Sequence, residues 1–119
     1  MRPDYIYKIF RLTEWNQIQE TGQFLGSAVD LKDGFIHLST ESQLQGTLDK
    51  HYTQGDDVVL AQVRSADISE HLKYEVSRGG AEFPHLYGRL MIENVSRHWA
   101  LKPDLEGRYA VNEYLRDDI

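Results

Sequence analysis

Apolar and polar positions divide the first forty residues into short elements. The segment "YIYKIF" has the aromatic and β-branched content of a strand, and "EWNQIQETG" follows it with a pattern typical of a helix. Thr13 stands at the expected N-cap of that helix and Gly22 at its C-cap. Two glycines and an Asp-Gly step in "QFLGSAVDLKDG" predict a structured loop of roughly a dozen residues, and "FIHLS" predicts a second strand.

The middle of the chain predicts a helix followed by a strand. Thr40 and Gln43 form a capping-box pattern, which predicts a helix through "ESQLQGTLDKHY" with Leu44 and Leu48 on one face. The nearly continuous apolar run "DVVLAQV" is typical of a strand that is covered on both faces. We therefore expect this strand in the centre of the sheet.

The last third alternates short strands with turns. "SADISEHL" predicts a helical turn, "KYEVS" a strand and "RGGAEFPHLYG" a loop, after which "RLMIENV" and "SRHWAL" predict a terminal pair of strands. Together the chain has two main predicted helices and about six strands, which indicates a fold of the α+β class.

Composition narrows this picture to one soluble domain. A chain of 119 residues with 40% hydrophobic content can bury a single core, and we place the globular domain at residues 1–103. Residues 104–119 hold five acidic and two basic side chains and predict an acidic, solvated appendage that contains a short helix. No apolar run is long enough for a membrane span, and "MRPDYIYKIF" lacks the pattern of a signal peptide, so we expect no membrane partner and a cytoplasmic protein.

Charge and cysteine content exclude several function classes. The net charge of −6 argues against duplex nucleic acid as a partner. The chain has no cysteine, which excludes disulfides, thiolate metal sites and cysteine nucleophiles. The charge does not argue against a small-molecule or nucleotide ligand.

His37 is the first candidate for chemistry. It shares a strand face with Phe35 and Ser39, because side chains alternate along a strand. The strand ends just before the predicted helix start at Thr40, where free N–H groups favour a phosphate or another anion. The alternative is a structural histidine at a sheet edge, bonded to the backbone.

A second group of candidates lies in "YEVSRGGAEFPHLYG". In the functional interpretation Arg78 binds an anion, Gly79 and Gly80 let the backbone approach a ligand, and Tyr87 offers a ring and a hydroxyl. In the structural interpretation the arginine and glycines form a turn, and Phe83 with Pro84 closes the core. Both interpretations stay open on sequence grounds.

Other chemistries lack their motifs. Glu75 and His71 are four residues apart, but their region is predicted as a turn followed by a strand, so no helix pairs them as metal ligands. No spacing predicts that His37, His51 and His85 converge on a metal. There is no G-x-S-x-G motif for Ser-His-Asp hydrolysis and no G-x-G-x-x-G for a Rossmann dinucleotide site. Glycoside hydrolysis needs two facing carboxylates, and Glu75 is the only acidic residue of this region that we expect inside. We therefore predict no metal site.

The segments "IYKI", "EW", "DGFIHLST", "SRGG" and "FPHLYG", in that order, resemble the family labelled domain of unknown function 952, over roughly residues 5 to 101. That family is distantly similar to the ADP-ribosyltransferase superfamily, and "FIHLS" is similar to a strand motif of the RNA 2′-phosphotransferases. The resemblance implies a split, highly curved β-sheet with a cleft that binds NAD.

The resemblance also implies roles for particular residues. His37 matches the superfamily's second motif, and Lys8 stands where relatives carry a histidine that contacts ribose. A lysine donates but cannot accept as a neutral imidazole does. Glu75 and Tyr87 would stabilise an oxocarbenium-like state, and the acceptor substrate stays open. The candidates are thus His37, Glu75 and Tyr87 for catalysis, and for ligand binding Lys8, Ser39, Thr40, Arg78, Gly79 and His85.

Two alternatives to an NAD-dependent enzyme remain. One is a non-catalytic module that binds a nucleotide-like or phosphorylated small molecule, in which Lys8 marks lost chemistry. The other is a protein-interaction domain.

Overall fold

The fold was analysed in a computed structural model that describes residues 2–52 and 55–115, apart from the side chain of Arg78. Four α-helices, eight strands and three 3₁₀ segments make up this part of the chain. Their order is β1 (Tyr5–Arg11), α1 (Leu12–Thr21), β2 (Gln23–Phe24), α2 (Ala28–Asp33), β3 (Ile36–His37), α3 (Glu41–His51), β4 (Val58–Arg64), a 3₁₀ segment (Ser65–His71), β5 (Leu72–Val76), a 3₁₀ turn (Arg78–Gly80), β6 (Glu82–Leu86), β7 (Leu90–Met91), a 3₁₀ turn (Ile92–Asn94), β8 (Val95–Leu101) and α4 (Val111–Leu115).

The first sheet has the order β1-β4-β8, with antiparallel pairing throughout. Its central strand β4 sends Val59, Ala61 and Val63 into one buried cluster and Val58 and Leu60 into another. A strand that is covered on both faces has no polar face, which explains its continuous apolar run. The prediction of a central strand is confirmed.

The second three-stranded sheet has the order β3-β6-β5, and β2 pairs with β7. Two predictions are wrong here. The segment predicted as a loop, 78–88, contains β6, which pairs on both sides. The segments predicted as a terminal pair do not pair with each other, because β7 joins β2 and β8 joins β4. Long-range pairing of this kind leaves no local pattern in the sequence.

A single bridge connects the two large sheets in the described residues. Tyr7 and Ser39 exchange backbone hydrogen bonds of 2.8 and 2.9 Å. After this bridge the two strands follow different partners: β1 remains paired with β4 as far as Arg11, whereas β3 is paired with β6. The opening between β1 and β3 positions the candidate site.

Three helix starts differ in how well the sequence predicted them. Helix α1 begins at Leu12 after Arg11, so the predicted N-cap Thr13 is wrong, while Gly22 is the C-cap at a φ of 84°. At α3 the predicted capping box is present, since the Thr40 N–H donates to Gln43 Oε1 at 3.0 Å. Helix α2 falls inside the segment that was predicted as a loop.

The described part of the acidic C-terminal segment packs against the domain. Tyr109 and Val111 are buried in the cluster that contains Leu44 and Leu48 of α3. The Gln45 side chain bonds to the backbone at both Tyr109 and Val111. The expectation of a solvated segment therefore does not hold for these residues.

The protein is a single-domain α+β fold with several antiparallel sheets. The described residues contain eight strands instead of about six, and the two additional ones, β2 and β6, lie in segments that were predicted as loops because neither gives a clear period of two. Within residues 2–52 and 55–115, no helix is long and apolar enough to cross a membrane.

Candidate functional site

A cleft of about 610 Å³ opens beside the bridge between β1 and β3. Its walls come from β1, the first turn of α1, the segment of α2, β3 and the residues after it, α3, Ser77 and β6. The predicted residues Lys8, His37, Ser39 and His85 all line it. His51, which carried no predicted role, lines it as well.

Asp30 of α2 is the buried anchor of this cleft. Ser27 caps the helix by accepting from the Asp30 N–H, and Asp30 Oδ2 in return accepts from the Ser27 N–H at 2.9 Å. This reciprocal capping turns the carboxylate back toward the start of the helix. There it meets both β1 and β3.

Each oxygen of Asp30 has further partners. Oδ2 lies 3.3 Å from Lys8 Nζ, and Oδ1 lies 2.6 Å from His37 Nδ1 and accepts from the His37 N–H at 3.2 Å. Burial alone would raise the pKa of this carboxyl. The hydrogen bond from His37, the charge of Lys8 and the backbone donors outweigh burial and hold the Asp30 pKa well below its ordinary value.

His37 stands between two carboxylates. Its Nδ1 faces Asp30, and its Nε2 lies 2.9 Å from Asp33 Oδ2. Both nitrogens can donate at once only in the imidazolium form, since neutral imidazole has one donor and one acceptor. The His37 side chain is 36% exposed, whereas Asp30 is 3% exposed, so a buried group fixes an accessible one.

Lys8 acts inside this network. Its side chain is 7% exposed, and its Nζ donates to Asp30 and to the His37 carbonyl at 3.2 Å. Two of the three ammonium hydrogens are thus directed at protein oxygens. The predicted contact from Lys8 to a ligand stays a prediction, while its observed partner is a carboxylate.

A second carboxylate and imidazole pair lies behind the cleft wall. Glu75 Oε1 lies 2.8 Å from His85 Nδ1 and accepts from the Tyr87 hydroxyl at 2.6 Å. Hydrogen bonds from Tyr87 and His85 lower the pKa of Glu75. The hydrogen bond between Tyr87 and Glu75 also raises the pKa of the Tyr87 hydroxyl. Glu75 and Tyr87 do not line the cleft, so His85 is the member of this group that reaches it.

The two pairs meet across β3 and β6. His37 and His85 are directly opposite in the register, with ring centroids 5.6 Å apart. Phe35 stacks on His85 at 4.0 Å and contacts the rings of His37 and Tyr87. The predicted common face of Phe35 and His37 is therefore present.

The remaining predicted residues have local roles in the structure. Ser39 Oγ lies 3.4 Å from Thr47 Oγ1 within the cleft wall, but Thr40 is outside the wall. Gly79 has a φ of 69° in the turn between β5 and β6, which accounts for a glycine there. The side chain of Arg78, the predicted anion clamp, lies outside the described part of the structure. Between residues 2 and 115, where described, no three His, Asp or Glu side chains are arranged to hold a metal.

Sequence analysis missed Asp30 and Asp33. One usable signal was present, because Ser27 and Asp30 have the spacing of a capping box. A second signal was Lys8 itself, since a lysine within an apolar strand requires a buried carboxylate partner.

Comparisons with known proteins agree on the fold. The model of a family described as "Protein of unknown function (DUF952)" matches residues 9–98. The crystal structure of protein CC0527 from Caulobacter crescentus is 45% identical, covers 93% of this chain and 97% of that chain, and has a TM-score of 0.86. A double mutant of that protein is 44% identical with the same coverage and TM-score.

The solution NMR structure of the same protein is 43% identical, with 96% and 98% of the two chains covered and a TM-score of 0.82. No curated protein matches this chain. The names of the matching structures mention neither a ligand nor an activity.

Proposed function

We propose, for a chain that belongs to the DUF952 family of proteins of unknown function, that the cleft at His37 binds a nucleotide-like small molecule, with NAD as the first candidate. The cleft volume of about 610 Å³ supports this proposal, because small-molecule sites commonly span roughly 300 to 1,000 Å³.

The contact between Asp30 and His37 carries the proposal. Burying a carboxylate costs free energy, and a fold that needed only packing would place an apolar residue at position 30. Here the buried carboxylate orients an imidazole that is 36% exposed in the cleft. Orienting a polar group toward an open cleft is what a binding or catalytic site requires.

Charge indicates which part of the ligand would meet His37. The cleft wall has two basic residues, Lys8 and Arg11, and three acidic ones. The acidic residues are Glu14, Asp30 and Asp33, so the formal charge of the wall is −1 with neutral histidines. This balance favours a hydroxyl-rich or cationic group, such as the nicotinamide and its ribose, over a free phosphate.

Arg11 is the wall residue suited to the pyrophosphate. It pairs with Asp56 at 3.0 Å, and both side chains are about half exposed. Exposed pairs contribute little free energy, so Arg11 can exchange this partner for a ligand phosphate.

A second candidate function is NAD-dependent ADP-ribosyl transfer. The pair of Glu75 and His85 favours it, because a carboxylate that orients an imidazole beside the cleft resembles the general bases of enzymes. The burial of Lys8 against Asp30 favours the non-catalytic alternative, since Lys8 then does not replace the ribose-contacting histidine.

The experiment is an NMR titration of the protein with NAD, ADP-ribose and inorganic phosphate. We expect saturable shifts of the His37 and His85 signals with NAD and ADP-ribose, and none at His71, which lies outside the cleft. The absence of shifts at about 1 mM of either nucleotide would overturn the proposal.

Two variants complete this test. His37→Ala should abolish the ligand-induced shift of the His85 signals. The variant should remain folded, because Asp30 keeps its contacts with Lys8 and with its backbone donors. The matched variant His71→Ala should bind as the wild type does. Release of nicotinamide from NAD, measured over time, then separates an enzyme from a binding module.

A further inference from the structure

His85 has a buried ring nitrogen that the fold does not use. The residue is 4% exposed and lines the cleft, and its Nε2 has no hydrogen-bond partner among the described residues. A histidine with a purely structural role would be expected to have both nitrogens bonded, as buried polar groups usually are.

The partner of the opposite ring nitrogen decides which nitrogen of a neutral ring carries the hydrogen. Glu75 Oε1 faces Nδ1 at 2.8 Å and also accepts from the Tyr87 hydroxyl. An ionised carboxylate only accepts hydrogen bonds, so Nδ1 carries the hydrogen. In neutral imidazole this leaves Nε2 as an acceptor.

The position of Nε2 relates it to the ligand. Glu75 lies on β5, on the far side of β6 from β3, and its contact turns Nδ1 toward β5. The Nε2 edge of the ring is thus turned toward β3 and the cleft that His85 lines, and because Nε2 itself is buried, a ligand must displace part of the cleft wall to reach it. The ring cannot turn freely, because Phe35 stacks on it at 4.0 Å and 20°. The acceptor is therefore held in one orientation, with Glu75 and Tyr87 as its positioning residues.

We infer that His85 Nε2 accepts a hydrogen bond from a hydroxyl group of the ligand in the cleft, and that this contact selects ligands with a sugar hydroxyl at that point. The inference rests on the proposed function. It gives His37 and His85 separate roles: His37 contacts the ligand between two carboxylates, whereas His85 in its neutral form offers an acceptor. A ligand that lacks a donor at this point would leave the nitrogen unbonded and bind more weakly.

The first test is made on the wild-type protein with ¹⁵N-labelled histidine. Correlations between ring nitrogens and ring protons should show His85 as the Nδ1–H tautomer without ligand, and its Nε2 signal should shift on titration with ADP-ribose. Protonation of Nε2 in the free protein, or an unchanged Nε2 signal at saturation, would overturn the inference even though the ligand binds.

The second test compares two substitutions at this position. His85→Asn keeps a donor for Glu75 but removes the Nε2 acceptor, and should weaken ADP-ribose binding roughly tenfold or more. His85→Gln restores a polar group near the place of Nε2 and should recover part of that loss.

The outcomes separate the two proposals. Wild-type binding together with equal affinity of His85→Asn would overturn the role of His85 alone. A wild-type protein that binds neither NAD nor ADP-ribose would overturn the proposed function and with it this inference. If His85→Asn does not fold, the Nε2 signal of the wild-type protein decides the matter by itself.

Discussion

Lys8 Nζ lies 3.3 Å from Asp30 Oδ2, and both side chains are less than one tenth exposed. The pair joins the middle of β1 to α2, and the same carboxylate orients His37. Lys8, a charged residue inside the first sheet, thus holds α2, the short helix of the cleft, against that sheet.

The first prediction concerns this ion pair. Lys8→Met should lower the free energy of unfolding by about 3–5 kcal/mol, because it leaves the Asp30 charge buried without its cationic partner. Lys50→Met, at an exposed position of α3, should change stability by less than about 0.5 kcal/mol. Urea denaturation measures both, and equal stability of the two variants would contradict the role given to Lys8.

Sequence patterns predicted the parts of the fold that depend on local signals. The central strand β4 followed from its apolar run, and the cap of α3 from Thr40 and Gln43. Strand β6 could not be predicted, because Gly79, Gly80 and Pro84 around it are typical of loops. Its pairing with β3 and β5 is long-range and overrides that local signal.

The candidate site divides in the same way. His37 and His85 stood out by residue type, and the structure brings them opposite each other on paired strands. The contact of Asp30 with Lys8 and His37 joins three elements across up to 29 positions of sequence. No periodic pattern encodes such a contact, so it required the structure.

The second prediction is a pH dependence. The pKa of Asp30 is lowered in the folded protein, so the unfolded state takes up a proton first as the pH falls below about 4. The contribution of Asp30 to stability is complete above that pH and is lost as the pH falls further. The limiting slope for one such group is about 1.4 kcal/mol per pH unit.

The check uses Asp30→Asn. This variant should be less stable than the wild type at neutral pH, and the difference should shrink as the pH falls from about 4 toward 2. Asp67→Asn, on the exposed 3₁₀ segment, controls for the change in net charge. A difference that stays constant between pH 7 and pH 2 would contradict the assignment.

The third prediction concerns Gly26, which precedes the capping residue of α2. Its φ is 131°, and a Cβ there would lie 2.8 Å from the Asp30 Cβ. Gly26→Ala should therefore cost about 2 kcal/mol or more, from backbone strain and a displaced Asp30. It should also change the His37 ring signals.

Gly34→Ala is the matched control at the other end of α2. Gly34 also has a positive φ, 88°, but no atom lies within 4 Å of its Cβ position. Its substitution should cost about 1 kcal/mol from strain alone, without a change at His37. Thermal denaturation and histidine NMR spectra of both variants distinguish backbone strain from displacement of Asp30. If the His37 signals of Gly26→Ala were the same as those of the wild type, the clash between a Cβ at position 26 and Asp30 would be refuted.

The last prediction concerns the segment after residue 103. Tyr109 is 2% exposed in the cluster with Leu44 and Leu48, and its hydroxyl donates to the Asp56 carbonyl. Tyr109→Ala should lower the free energy of unfolding by about 3–5 kcal/mol, as expected when a large aromatic side chain leaves a cavity in a core.

Leu105, fully exposed in the same segment, provides the control, and Leu105→Ala should be neutral within about 0.5 kcal/mol. Chemical denaturation of both variants tests this directly. If Tyr109→Ala proved as stable as Leu105→Ala, the segment would be an appendage after all, and α3 would have to be stabilised by the β1, β4 and β8 side chains of its cluster.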